Sequence, residues 1–193
     1  MSPRIAPLEA PYEPEIEAAL AKWMPPNSPL DPLRLFRTLL VHDQLASRML
    51  PLGAGILGRS ATVPPPLREV AIHRTTALVG AEYEWGVHVV GFGQPLGFTD
   101  EQLHSTVHGS PDDPCWDPEQ AAVFRLCDEL HHTGSLSDDL WEDVASRFDN
   151  SQILELIVTA GWYHLIGYVC NATGLDLEDW GARFPAQAPG GGG

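Results

Sequence analysis

Between residues 67 and 90, LREVAIHRTTALVGAEYEWGVHVV, ionisable side chains recur four residues apart inside an otherwise apolar run. Glu69 and His73 form one such pair, Glu84 and His88 the other. Residues four apart share one face of a helix. Gly80 separates the pairs, so the spacing predicts two helical pieces, 66–79 and 81–92, each presenting a carboxylate and an imidazole. An imidazole titrates near neutral pH, and burial tunes a carboxylate toward the same range. Four such groups meeting where the helices pack would make a proton-transfer site. On a solvated face the same pairs would contribute only about 0.3 kcal/mol each. Few lysines or arginines stand among Val70, Ala71, Ile72, Ala77, Leu78, Val79, Trp85, Val87, Val89 and Val90, which favours the buried arrangement.

These residues carry a resemblance. Glu69, eleven further residues, then positions 81, 84 and 88 reproduce the spacing Glu-x11-Cys-x-x-Cys-x-x-x-His of the peroxidase branch of the carboxymuconolactone decarboxylase superfamily, which includes the alkylhydroperoxidase D-like proteins. REVAI before the motif, a Gly just ahead of it and Tyr-x-Trp within it add to the likeness, which is strongest over 67–90 and extends over about 33–175. The two cysteine positions hold Ala81 and Glu84. Disulfide exchange needs thiolates, and the three cysteines present, Cys115, Cys127 and Cys170, form no Cys-x-x-Cys. A thiol peroxidase is therefore not expected. The proton-relay half remains, with a carboxylate where a thiol would stand. The resemblance implies an all-α helical bundle of the alkylhydroperoxidase D-like type with about 7–8 helices, no cofactor or metal, and assembly as a homo-oligomer, trimer or hexamer first and dimer next.

The expected chemistry is a cofactor-free acid/base lyase, a decarboxylase or isomerase, acting on a small oxo-acid or lactone. Glu69, Glu84 and His88 are the candidate catalytic groups: His88 as general acid/base, Glu69 orienting it, Glu84 sharing its proton. His73, Arg74, Tyr83, Trp85, Trp162 and His164 are candidate substrate-binding residues, with Arg74 or Arg68 as a carboxylate clamp. Tyr163 and Tyr168 lie in the same last helix. Two other readings stay open. The chain is a non-catalytic ligand-binding or structural oligomer of the same fold, or it is a metal-dependent enzyme using Glu84 and His88 with Glu69, His73 or His164.

Composition narrows the partners. Lys and Arg total 11 against 26 Asp and Glu, a formal net charge of −15. Such a surface repels nucleic acid and anionic membranes. Three scattered cysteines make neither a disulfide framework nor a zinc pattern. The first 30 residues show no basic start followed by an apolar stretch, so no secretory signal is expected. No uninterrupted 18-residue apolar run suggests a membrane span. The expectation is a cytoplasmic protein with a small-molecule substrate.

The remaining elements must position the motif. Residues 1–30 are a Pro-rich arm (Pro3, Pro7, Pro11, Pro14, Pro25, Pro26 and Pro29) with a short helix from Glu15 to Met24 anchored by Trp23. Residues 31–184 form one helical domain, opening with Asp31 as N-cap and Pro32 at the first position of a helix to Leu50. Pro51 to Gly58 follows as a short helix or close-packed loop. Pro64-Pro65-Pro66 launches the motif helix. Thr99 with Gln102 reads as a capping box, and Asp117-Pro118, Ser137 and Asp149 start further helices. The last runs from Ser151 to Thr173 and is apolar nearly all round, as in a core or an oligomer interface. Residues 185–193 are read as a disordered tail. No stretch alternates as a strand does.

Overall fold

The computed structural model describes residues 2–25 and 28–187. Pro26 of the arm and the tail beyond residue 187 lie outside the described residues. Among those described, nine α-helices occur and no strand. They are α1 (Pro14–Trp23), α2 (Arg34–Leu39), α3 (Asp43–Ile56), α4 (Pro65–Leu78), α5 (Glu82–His88), α6 (Asp100–His108), α7 (Pro118–Thr133), α8 (Asp138–Arg147) and α9 (Asn150–Thr173).

Sequence and structure part in three places. The helix expected from Asp31 starts at Arg34, with Leu33, which has no polar side-chain atom, at the N-cap; the Pro32 carbonyl accepts from Arg37 Nε. It breaks at a single 3-10 turn, Leu40–His42, and resumes as α3, which runs straight through Pro51. The second motif helix ends at His88 and passes into a π-turn, Val89–Gly93. The caps read from sequence are present: Thr99, Asp117 and Asp149 each form a reciprocal box with the Gln three residues on, and Ser137 accepts from Leu140 N.

α4 is the axle of the bundle. Pro65 and Pro66 occupy its first turn, where no N–H is missed. From Leu67 to Thr76 all but one of its residues are buried, as it packs on α5, α6, α7 and α9. Two apolar clusters form beside it. Phe124, Leu126, Val144 and Leu156 centre the first, between α4, α7, α8 and α9. The second joins α1, α2, α3, α5 and α9 around Leu20, Leu35, Ile72 and Trp162. α9 is long and apolar enough to cross a membrane, but half of that stretch is buried inside the bundle. It behaves as a core helix.

The chain after α9 returns across the motif. Glu178 accepts from the Tyr83 hydroxyl at 2.6 Å and from Arg34 N at 2.7 Å, and pairs with the Arg34 guanidinium at 3.1 Å. Ala182 N donates to Gly86 O, Phe184 N to a Glu82 carboxylate oxygen, and the Pro185 carbonyl is 2.7 Å from His108 Nε2. This strap lies so close to α5 that a Cβ on Gly86 would overlap the Ala182 carbonyl oxygen, a backbone atom that cannot step aside cheaply. Gly86→Ala is expected to lift the strap and lower stability by about 1–3 kcal/mol. Urea unfolding would read the loss, and limited proteolysis would read faster cutting after residue 175.

Candidate functional site

Gly80, with φ +66°, turns the chain between α4 and α5. The turn is held by Ala81 N donating to Thr76 O and by Asn171 Nδ2 donating to Val79 O. Its effect is to bring Glu69 of α4 against His88 of α5. Glu69 Oε2 lies 2.9 Å from His88 Nδ1, both side chains buried. His88 Nε2 faces Glu84 Oε1 at 3.6 Å, an ion-pair distance longer than an ordinary hydrogen bond. Arg68 Nε approaches Glu69 Oε1 at 3.9 Å from behind. The other oxygen of Glu84 is buried with no hydrogen-bond partner among the described residues.

These contacts set the protonation of the two imidazoles in opposite directions. Burial by itself would lower His88, but the carboxylates of Glu69 and Glu84 outweigh it and raise the group from 6.5 to about 9. His88 is thus an imidazolium at neutral pH. Burial dominates at His73 and, despite an opposing pull from Glu69, lowers it to about 4, so His73 is neutral. Its Nδ1 lies 2.7 Å from the Glu69 backbone carbonyl, not hydrogen-bonded to the carboxylate, and its Nε2 is buried without a partner among the described residues.

Glu84 and His88 form the polar end of a cavity of about 440 Å³ enclosed by α1, α2, α3, α5, α9 and the strap. The remaining wall is mainly apolar and aromatic, with Trp23, Phe36, Phe92, Trp162, Tyr163 and Trp180 the large rings. The π-turn lays Phe92 on His88, ring centroids 4.8 Å apart and planes at 20°, and Tyr163 meets the imidazole edge-on at 5.0 Å. With Phe92 stacked on the ring and Nδ1 taken by Glu69, Nε2 is the ring nitrogen left without a hydrogen bond among the described residues.

Of the residues proposed from sequence, Glu84, His88 and Trp162 line the cavity, with Glu69 directly behind His88. The others lie elsewhere. Arg74 is bound to Asp128 at 2.6 Å and to the Thr106 carbonyl, and its guanidinium sits over Phe124, so it is no carboxylate clamp. Arg68 also stays outside, donating to Ile56 O. Tyr83 points to Glu178 and Leu35 N. Trp85 donates to Thr106 and packs on Phe184. His73 lies beneath the π-turn against Phe98, Trp85 and Gly93. His164 pairs with His131 at 2.9 Å on the other side of α9, and Tyr168 is exposed. Among the described residues no three His, Cys, Asp or Glu side chains are grouped to hold one metal ion. Ala81 is fully buried. Burial pushes the Cys127 thiol up to about 12 and Cys170 well above its ordinary value, the reverse of an activated thiolate. The sequence reading passed over Phe36, Phe92 and Trp180, and it assigned Trp23 to anchoring the arm. No local spacing marks Phe36, Phe92 and Trp180, which come from α2, the π-turn and the strap.

No protein-family model matches the chain, and no curated protein matches it by sequence. Solved structures do. An uncharacterised peroxidase-related protein from Silicibacter sp. TM1040 superposes with a TM-score of 0.74 at 13% identity, over 95% of this chain and 98% of that one. The debrominase Bmp8, in complex with 2,3,4-tribromopyrrole, gives 0.71 at 13% identity, over 93% and 94%. A protein of unknown function from Agrobacterium tumefaciens, provisionally an antioxidant-defence protein AhpD, gives 0.64 at 12% identity, over 72% and 94%. The fold is alkylhydroperoxidase D-like. At these identities the likeness concerns the fold, and the all-helical architecture read from sequence agrees with it.

The two histidines give stability a defined pH dependence. His88, raised in the folded state, contributes stability that is complete below pH 6.5 and is lost as pH rises through about 9. His73, lowered in the folded state, works the other way: its contribution is present above pH 6.5 and lost as pH falls through about 4. Urea unfolding across pH is expected to show a maximum near neutrality. The alkaline limb, on the order of 3 kcal/mol, should flatten in His88→Gln and the acid limb in His73→Gln.

Proposed function

We propose that this chain is an acid/base enzyme of the lyase or isomerase type, working without a cofactor on a small lactone or oxo-acid. One observation supports this above the rest: the His88 imidazolium and the Glu84 carboxylate, 3.6 Å apart, both line an otherwise mainly apolar cavity. Glu69 fixes the tautomer and orientation of His88 through Nδ1. Glu84 takes a proton from a carbon next to a carbonyl, and His88 supplies one elsewhere on the molecule. In a decarboxylation the carbon–carbon pair replaces the carbon–hydrogen pair, and the carbon left behind is protonated from His88. Solvent exclusion strengthens each of these interactions. That a cysteine-to-alanine variant of a debrominase of the same fold holds a small ring, 2,3,4-tribromopyrrole, supports a small-molecule ligand.

Nuclear magnetic resonance in D2O, with α-angelica lactone and acetoacetate as test compounds, would follow deuterium entry and loss of carboxylate. His88→Ala and Glu84→Gln are each expected to lower the rate about 10²-fold or more, and Glu69→Gln to lower it less while shifting the alkaline limb of the pH profile downward. A wild-type rate in His88→Ala would sink the proposal and favour a ligand-binding protein.

We further propose self-association through α9. Leu154, Val158, Leu165 and Tyr168 fall on one side of the helix and are exposed, a stripe more apolar than an isolated surface needs. Leu165→Glu together with Leu154→Lys is expected to reduce the mass seen by light scattering to a single chain, with the helical content unchanged.

A further inference from the structure

Tyr163 enters none of the steps above, yet it lines the cavity beside Glu84 and His88. It is 2% exposed. A buried phenol ordinarily finds a hydrogen-bond partner. Tyr83 does, with Glu178 and Leu35 N. Among the described residues the Tyr163 hydroxyl makes none, and the nearby carboxylates of Glu84 and Glu69 add to burial in keeping it protonated. The fold therefore leaves a neutral phenol O–H donor on a mainly apolar cavity wall that it shares with the Glu84 carboxylate.

The rest of the wall says what charge the ligand carries. Two carboxylates flank the His88 imidazolium, so the polar part of the cavity wall offers no excess positive charge. Arg68 offsets it from outside the cavity, and Arg74 is engaged by Asp128. Lys22, on the exposed arm helix, is the one lysine or arginine on the wall among the described residues. An anionic ligand would meet the Glu84 carboxylate with no clamp to offset it. An uncharged one would meet aromatic rings and a phenol.

We infer that Tyr163 is a catalytic residue whose O–H donates a hydrogen bond to the carbonyl oxygen of an uncharged, β,γ-unsaturated cyclic ketone or lactone. This rests on the acid/base reading of the same site and narrows its substrate. Glu84 takes the α-proton. The carbon–hydrogen pair becomes a carbon–carbon double bond, and the carbonyl π pair moves onto oxygen, where the Tyr163 hydrogen bond holds it. The proton then returns at the γ-carbon and the electron pairs shift back. The product is the conjugated isomer, and no oxidant or reductant takes part.

Binding tests this apart from turnover. The probes are cyclohex-2-enone, toluene as an apolar ring and benzoate as an anionic one, titrated by calorimetry into the full chain. Tyr163→Phe is expected to weaken cyclohex-2-enone at least tenfold and to leave toluene within twofold. Benzoate should bind the wild type at least tenfold more weakly than the enone. In the wild type the carbonyl ¹³C resonance of bound enone should move downfield from its position in water, a readout that needs no variant. Equal enone affinity in Tyr163→Phe, no enone binding at millimolar concentration, tighter binding of benzoate, or an upfield carbonyl shift would each overturn the inference. Exchange of cyclohex-3-enone in D2O separates the two readings. Exchange that Tyr163→Phe leaves unchanged removes the role of Tyr163 alone. Enone binding that depends on Tyr163 with no exchange removes the proton-transfer reading and keeps the binding site.

Discussion

A carboxylate with no exposure at all sits on the central helix of the bundle, and the structure is arranged around keeping it compensated. Removing an ion from water costs several kcal/mol after relaxation. Glu69 is tolerable only because His88 approaches one oxygen at 2.9 Å and Arg68 stands 3.9 Å from the other. Those partners come from different helices, so the pair also dictates tertiary structure. α5 must start within a tight turn of the end of α4, which requires the positive φ of Gly80. α9 must then cover the turn closely, and Gly167 permits this, since a side chain there would strike Val79 and Ala81. The pKa of His88 expresses the same compensation: with the carboxylates on both sides, the ring keeps its proton against burial.

The part of this legible in sequence was the part encoded locally. Thr99, Asp117, Ser137 and Asp149 mark helix starts through their own side chains, and each start lies where it was read. The i, i+4 pairs and Gly80 located the motif, because helical spacing and a left-handed turn are properties of a few consecutive residues. Spacing does not say which atom of a side chain is used. Glu69 and His73 share a helix face, yet the closest contact of His73 to Glu69 is with the backbone carbonyl, while the carboxylate turns to a residue nineteen positions on. α4 is buried nearly all round, so no polar face betrayed the direction of its side chains.

Most of the cavity wall was not legible for a related reason. Trp23, Phe36 and Trp180 come from the two ends of the chain, and their places depend on the junction of Arg34, Tyr83 and Glu178. No periodicity predicts a contact between residues 34 and 178. Tyr83 illustrates the cost of judging by proximity: one residue from Glu84, it faces the strap and builds the wall without belonging to it. Arg74 fails as a clamp for a different reason. A guanidinium held by Asp128, the Thr106 carbonyl and the face of Phe124 already has its donors and its charge matched.

A carboxylate at position 84, where the motif that the sequence resembles has a thiol, changes more than the reaction available. A thiol is neutral unless activated, whereas a carboxylate beside an imidazolium brings a standing charge to the cavity. That charge is part of a formal net charge of −15. At long range such a field slows the approach of anions. At the site, Glu84 and Glu69 leave no excess positive charge to receive one. An uncharged molecule is indifferent to the long-range field and gains from the apolar wall, since burial of apolar area is favourable regardless of the sign of nearby groups. Under the proposed reading, the acidic surface and the doubly flanked histidine select in the same direction. A fold compatible with very different sequences leaves such selection to a handful of side chains, and in the proposed reading the decisive one is Glu84.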